Sequence, residues 1–420
     1  MPPETKQIKL PNSRYSEEAA EWLESHGLVD QCPSLRSSDY GLVRRCPFTY
    51  YLCRRLGLGK ALQYSEALSR GTWVHHFFSY ITLDEETRTS NCYVLLNNRL
   101  SELNAQCDAM NIRAEKKKDI LLREETDFLV TKAWFEAALM APISKDIGGL
   151  KEFLEHPDML HVGQELLLKA EDRVAQPDLL IYDKRTNKLW IVDFKTCAGS
   201  PHDRLQMCPY EFQTQHYFSI TRHLLLTSSF TNWFDLPSDV DLAGVMHIAI
   251  QKPTIKFGMS DRPFTMDTSP LKSGPRKGQP RNDKVYTGDP HPDLYRERCI
   301  NWYLGHEDYA HLAPERATDP PVNISYTGSR TLLAEDNLSC YDSRLKFLKS
   351  YKERPCEPGK FEVGDVVPHA GRVSPYASFI TTPVDRWIDI IEAEQFIISN
   401  RDDKNLDDGV HASFLSEVGS

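Results

Sequence analysis

Asp178, Asp193 and Lys195 are the side chains of this sequence best suited, by type and spacing, to chemistry. They stand in Gln176-Pro-Asp-Leu-Leu-Ile-Tyr182 and in Trp190-Ile-Val-Asp-Phe-Lys-Thr196. Residues two apart on a strand point to the same face. Asp193 and Lys195 therefore project together, and Phe194 turns the other way, into a core. A hairpin between the two segments brings Asp178 alongside them. Two carboxylates at one point repel unless a cation compensates. A hard divalent ion such as Mg2+, with Mn2+ as a substitute, prefers oxygen ligands, and the backbone carbonyl of Phe194 can supply a further one. Such an ion acidifies a water and polarises a phosphate oxygen. Lys195 can orient that water or balance charge developing on the phosphate. Charged residues at strand ends are common on ordinary surfaces, and Asp-x-Lys alone says little. A Pro-Asp, a polar turn, then an apolar strand ending in Asp-x-Lys-Thr is a more specific pattern.

The elements that must position these groups are legible around them. Leu179–Tyr182 and Leu189–Phe194 read as strands, joined by the polar turn 183–188. Glu165–Leu168 reads as a strand before them, and Gly244–Ile250 as one after. A helix is expected over about 210–226. Upstream, 15–27, 65–81 and 94–140 read as helical, the last strongly charged. Ser269–Lys284 is rich in Pro, Gly and basic residues and reads as a flexible loop; it either binds backbone phosphate when ordered or is a solvated linker. Helices are expected over 295–304, 343–351 and 387–399. The organisation inferred is a flexible arm (1–13), a mainly helical N-terminal part (14–160), a core (161–260), a flexible basic loop (261–290), a C-terminal extension (291–400) and a loose tail (401–420).

Composition bounds the reading. The chain has 420 residues, 40% of them apolar and 26% charged, enough for a sizeable core in a soluble protein. No apolar run approaches the ~20 residues that span a bilayer; Leu242–Ile250 is short and broken by His247. Met1–Pro11 has no apolar centre, which argues against a secretory signal. No membrane association and a cytoplasmic location are expected. The formal net charge of -10 argues against nonspecific coating of nucleic acid, though not against a local basic groove. None of the ten cysteines forms a CxxC pair, and free thiols are expected.

With these motifs in place, the sequence resembles the PD-(D/E)XK nuclease superfamily, and within it the RecB-like exonuclease branch. Gly71-Thr-Trp-Val-His75 looks like that branch's upstream Gly-x-x-x-His helix. Gln213-Thr-Gln-His-Tyr217 looks like its Gln-x-x-x-Tyr helix. Cys46-Pro-Phe-Thr-Tyr-Tyr51 is similar to its aromatic Cys-Pro segment, and Gly244–Pro253 to a strand that follows the nuclease core in phage-encoded members. The resemblance runs from about Ser37 to Pro253 and fades after that. It implies an α/β fold, with a mixed central sheet flanked by helices, a helical N-terminal part and a C-terminal extension. It implies metal ligation by His75 with Asp178 and Asp193, and roles for Gln213 and Tyr217 beside Lys195. Glu165 either holds a second metal or is an exposed strand residue. His75 could instead be packed in a core; His76 gets no role. Some relatives carry an iron–sulfur cluster on one early and three late cysteines. Cys46 sits near the early position, but Ser374 and Phe379 stand where late cysteines would fall, so a cluster is not expected.

Arg44, Arg45, Arg54 and Arg55 flank Tyr50 and Tyr51. Basic residues interleaved with aromatics suit a DNA strand; the alternative is a helix with a basic outer and an aromatic inner face. The function expected is metal-dependent hydrolysis of phosphodiesters at DNA ends, single or double stranded. Its setting would be recombination, repair or replication, alongside a recombination or replication protein, encoded by a phage or prophage and working in the host cytoplasm. The alternatives are an endonuclease or flap nuclease with the same active site, and a non-catalytic DNA-binding subunit of the same fold.

Overall fold

The computed structural model describes residues 23–304, 324–327, 335–398 and 409–411, less short stretches inside them, the longest being 364–375. The expectations for residues 1–13, for most of 401–420 and for Ser374 lie outside these, as does the first part of the helix expected over 15–27.

Helix α1 (Ser37–Arg45) starts where the Asp39 carboxylate accepts the Arg36 N–H at 2.9 Å. Acid in its first turn and Arg44 and Arg45 in its last suit the helix dipole. It ends at Cys46, before Pro47. Helix α2 (Glu66–Ser79) follows, then two long helices, α3 (Glu85–Ala109) and α4 (Ala114–Met140). Asn111, at φ +50°, makes the reversal between them; Asn tolerates that left-handed conformation better than most residues.

Nine strands matter to the site: β1 (Met159–Gln164), β2 (Leu167–Ala170), β3 (Arg173–Ala175), β4 (Leu179–Asp183), β5 (Lys188–Cys197), β6 (Asp241–Gln251), β7 (Phe264–Asp267), β8 (Asp283–Tyr286) and β9 (Ile324–Thr327). The central sheet has the order β9-β6-β5-β4-β1. Only β5 and β6 run parallel; the other pairs are antiparallel. The sheet is therefore mixed, as expected. Its crossover carries helix α5 (Phe212–Leu226).

All five residues of β4 are buried, because both faces of the sheet are covered. On one face Ile181, Val192 and Phe194 join Phe78 of α2 and Phe135 of α4. Phe194 lies flat on Phe78, centroids 3.6 Å apart and planes 6° apart. Burying such a ring contributes about 1.5–3 kcal/mol. On the other face Leu180, Ile191 and Val245 pack with Phe218 and Ile220 of α5. Alternation along β5 thus sends Asp193 and Lys195 toward α5, while Phe194 anchors the strand to α2.

A third core joins segments some three hundred positions apart. Phe48, Tyr50 and Tyr51 pack with Phe361, Phe379 and Trp387. Leu58–Lys60 pairs antiparallel with Phe396–Ile398, and the Tyr376 hydroxyl donates to the Leu58 carbonyl at 2.8 Å. Helix α6 (Pro292–Leu304) is tied to the end of β6 by Tyr303, whose hydroxyl donates to the Gln251 carbonyl at 2.7 Å. Helix α7 (Glu335–Lys352) reaches α5 through Tyr341, whose hydroxyl is 3.1 Å from His216 Nδ1. Of the basic stretch expected as a loop, Ser269–Lys284, only Asp283 and Lys284 lie in a strand; the rest connects the two strands of the β7–β8 ribbon. Among the described residues, no helix is long and apolar enough to cross a membrane.

Candidate active site

Three side chains converge at the mouth of the β4–β5 hairpin. His75 Nδ1, from α2, lies 3.1 Å from Asp178 Oδ1 and 3.6 Å from Glu165 Oε1. One ligand atom from each of His75, Glu165 and Asp178 lies within 4.8 Å of the other two. Asp178 directly precedes β4, and its Oδ2 accepts the Phe194 N–H at 2.6 Å. That bond ties the carboxylate to the neighbouring strand and leaves Oδ1 toward His75. Phe194 thus meets Asp178 through its N–H.

Glu165 corrects one expectation. It is not on a strand but in the break between β1 and β2, at φ +48°. A non-glycine residue there is strained by about 1–2 kcal/mol. Its N–H donates to the Asp178 carbonyl at 3.1 Å, and its carbonyl accepts from Gln176 Nε2 at 3.1 Å. Held so, Glu165 is buried (8% exposed) rather than on the surface.

The charges show what this cluster lacks. His75 is pushed up to about 11, chiefly by the Asp178 carboxylate, with Glu165 adding. Glu165 is raised to about 7, mainly by burial, with Asp178 and Asp193 adding to the rise and His75 opposing it. Two carboxylates thus draw protons onto the cluster, as a site with uncompensated negative charge must. Two carboxylate oxygens and an imidazole nitrogen suit a divalent cation, Mn2+ as well as Mg2+. The residues present fit such an ion.

Asp193 stands beside this triad, not within it. Its carboxylate is taken by Lys195 Nζ, 3.0 Å from Oδ1 and 2.8 Å from Oδ2, and by His247 Nδ1, 2.9 Å from Oδ2. Burial would raise the Asp193 pKa, but Lys195 and His247 outweigh it and lower it to about 2. An ionised carboxylate only accepts, so His247 Nδ1 must donate. Burial likewise opposes the charge on Lys195; Asp193 and Asp178 overcome it, and its pKa is raised. Lys195 stays an ammonium ion.

Lys195 also donates to Gln213 Oε1 at 2.7 Å, and Gln213 Nε2 donates to the Tyr217 hydroxyl at 2.9 Å. Because an ammonium cannot accept, the Gln213 amide has only this orientation. Tyr217 is held as a neutral phenol, first by burial and then by the carboxylates of Asp193 and Asp178. Having accepted from Gln213, its own O–H is left to donate. His75, Glu165, Asp178, Gln213 and Tyr217 all line an open cleft of about 390 Å³, with Arg36 at the start of α1.

His247 is the residue that sequence reasoning missed. It faces Asp193 in the register of the parallel β5–β6 pair, is 1% exposed, and has Thr214 Oγ1 of α5 3.2 Å from its Nε2. Its one signal is position: a lone histidine inside an otherwise apolar strand, which by sequence alone says no more than that a hydrophobic run is broken.

Part of the expected DNA contact is corrected. Tyr50 and Tyr51 are fully buried, and Arg54 is 3% exposed. Arg54 Nε lies 2.6 Å from Asp39 Oδ1, and its guanidinium donates to the Ser34 carbonyl. These three hold the fold together and do not face a strand of DNA. Burial wins because the helical turns after Pro47 carry Tyr50 and Tyr51 into the third core and set Arg54 against Asp39. Arg44 and Arg45 remain on the surface. Cys46 is also buried in that core.

Against known proteins, the family model of the PD-(D/E)XK nuclease superfamily matches residues 37–233. No curated protein and no solved structure matches the chain. The matched segment carries the triad and the Asp193–Lys195–Gln213–Tyr217 chain. His247 lies beyond it.

Proposed function

We propose that this chain, whose residues 37–233 match the family model of the PD-(D/E)XK nuclease superfamily, is a divalent-metal-dependent deoxyribonuclease that hydrolyses phosphodiesters at DNA ends. The observation that carries this is a juxtaposition. A cation-fitting triad, His75, Glu165 and Asp178, and a protonated Lys195 on Asp193 meet at the β4–β5 hairpin.

His75, Glu165 and Asp178 would hold the ion, with Asp193 next to them. The ion supplies Lewis-acid stabilisation of phosphate charge and a more acidic water. Lys195 carries a fixed positive charge to the place where phosphate charge develops, in a setting too buried for water to screen it. Gln213 holds the ammonium against α5 and turns the Tyr217 hydroxyl toward the cleft. Tyr217 then donates to a phosphate or sugar oxygen and sets the strand's position. The intact set of Asp178, Asp193 and Lys195 speaks against a purely structural role. Action at ends in recombination, repair or replication rests on the similarity of the Gly71–His75 and Gln213–Tyr217 helices to the RecB-like branch.

The test is incubation with end-labelled linear DNA and with closed circular DNA, with Mg2+ or with EDTA, comparing wild type and Lys195→Ala. Linear DNA should be degraded only by wild type with the metal. Equal degradation by both proteins, or none with any divalent metal, overturns the catalytic reading. Cleavage of closed circles overturns action at ends and leaves an endonuclease.

A further inference from the structure

Among the described residues, nothing covers either face of the β7–β8 ribbon. Phe264, Met266, Val285 and Tyr286 are each between 37% and 47% exposed. A bare two-stranded ribbon is at best marginal in water, and apolar side chains kept on both strands of one call for a partner. The ribbon is nonetheless ordered beyond its strands. Arg281 N–H donates to the Ser269 carbonyl at 3.0 Å and Leu271 N–H to the Gln279 carbonyl at 2.9 Å. The tip turns at Gly274, φ +86°, beside exposed Arg276 and Lys277.

Its base is clamped. Asp261, fully buried, accepts from the Gly258 N–H at 2.7 Å and from Arg298 at 2.6 Å. The Thr287 N–H closes the neck on the Pro263 carbonyl at 2.7 Å. The chain enters this base from β6, whose next residue, Lys252, donates its N–H to the Cys197 carbonyl. Cys197 is two residues beyond Lys195. The ribbon therefore grows out of the end of the sheet that carries the catalytic lysine. The strands pair over 264–267 and 283–286 and a further bridge joins Pro270 to Pro280, so at ~3.4 Å per residue the paired part of the ribbon reaches on the order of 20 Å from its base.

Charge selects the occupant. Residues 264–286 hold five basic side chains (Lys272, Arg276, Lys277, Arg281, Lys284) and two acidic ones (Asp267, Asp283), on a chain whose net charge is -10. Lys284 lies over the Phe264 ring at 4.4 Å, so even the apolar side of the ribbon presents positive charge. A polyanion with apolar faces between its charges fits this surface. We propose that the ribbon is a second DNA-binding element: Arg276, Lys277 and Arg281 take backbone phosphates away from the cut, and the Phe264–Tyr286 pair packs against sugars or bases. A two-stranded ribbon is narrow enough to lie in a major groove. This rests on the nuclease reading, and it assigns that site a substrate several nucleotides longer than the cleft can hold.

The experiment separates the two claims by measuring binding without cleavage. In an Asp178→Asn background, labelled DNA is titrated across a salt series with and without Arg276→Gln/Lys277→Gln/Arg281→Gln. All three positions are exposed, and equal thermal midpoints would show that both proteins are folded. The triple variant should bind more weakly at low salt, and its slope of log affinity against log salt should be shallower by about one for each phosphate no longer neutralised. Tyr286→Ala should weaken binding by a factor that does not change with salt. In the cleavage-competent protein, oligonucleotides too short to leave the cleft should be cut equally with and without the triple substitution. Unchanged affinity and slope overturn the proposal. So does competition by an acidic polypeptide, charge for charge, as effective as competition by DNA, which would make the ribbon a docking surface for acidic proteins. If Asp178→Asn still cleaves like wild type, it is the assignment of the catalytic site to Asp178 that fails; if the wild type itself cleaves no DNA with any divalent metal, the nuclease reading fails, and in both cases the binding result stands by itself.

Discussion

His247 and Asp193 face each other across the parallel β5–β6 pair, with His247 Nδ1 2.9 Å from Asp193 Oδ2. The pair is one link of a closed ring. Asp193 binds Lys195, Lys195 binds Gln213, and Gln213 is followed on α5 by Thr214, which returns to His247. Two strands thus hold one buried carboxylate, and α5 braces both of its partners. A carboxylate so held keeps a single orientation, which a group beside a metal site requires.

His247→Phe should therefore lower metal-dependent cleavage by roughly 10–100-fold, the usual consequence of removing such an outer partner. His247→Asn, whose amide can take the place of Nδ1, should recover part of it. Calorimetric titration of Mn2+ into the DNA-free variants gives a readout independent of turnover. If His247→Phe binds Mn2+ and cleaves like wild type, the ring is only packing.

Lys195→Ala should reduce kcat by about 10²–10³, the range for removing one preorganised charge-stabilising group. Gln213→Ala and Tyr217→Phe should each cost less. Combined with Lys195→Ala, Gln213→Ala should add little, because its role passes through the lysine. A double-mutant cycle on kcat checks this; full additivity would break the relay.

The pH dependence of the metal-free protein follows from His75 and Glu165. Both have folded pKa values above their ordinary ones, His75 at about 11 and Glu165 at about 7. The folded site keeps protons that the unfolded chain releases, so stability falls as pH rises. For Glu165 the window runs from its ordinary value, ~4.3, to about 7; for His75 it opens near ~6.5 and extends toward 11. A divalent cation replaces those protons and should flatten the decline. Scanning calorimetry from mildly acid to alkaline pH, with and without Mn2+, tests it. Asp178→Asn should remove most of the His75 part, since Asp178 is its largest cause.

Arg54→Met should destabilise the fold by about 3–5 kcal/mol, because it leaves Asp39 buried without its cation. DNA affinity of the fraction that folds should not change. Arg44→Gln and Arg45→Gln, both on the surface, should leave stability within ~0.5 kcal/mol and weaken DNA binding if α1 flanks the strand. Urea melts and DNA titration on the same samples separate the two effects.

Local pattern makes much of this protein legible. Strand period places Asp193 and Lys195 on one side and Phe194 on the other, and β5 keeps that alternation. The four-residue spacing of Gln213 and Tyr217 puts them on one helical face, where they are hydrogen bonded. Strand β4 and the core of β5 are equally readable, because periodicity and turn residues act over a few neighbours; β5 runs on past the expected Phe194 to Cys197, and the mixed sheet comes from the family resemblance. What escapes depends on partners far apart in the chain. Tyr50, Tyr51 and Arg54 have the pattern of a strand-binding surface; residues three hundred positions later reveal that the tyrosines are core, and Arg54 is taken by Asp39 and Ser34. Glu165 has the pattern of a strand residue until Asp178 and Gln176 take its backbone groups. His247 lies in the Gly244–Pro253 segment, but nothing local in that strand marks the histidine itself.

The sequence by itself determined the chemistry available, two aspartates and a lysine on a hairpin, because residue type and period are local properties. Only the tertiary structure decided how that chemistry is shared. It set Asp178 with His75 and Glu165, and it set Asp193 with Lys195 and His247. The reason is physical: a buried carboxylate takes whatever donor the packing of helices and neighbouring strands delivers to it, and no spacing along the chain records which donor that will be.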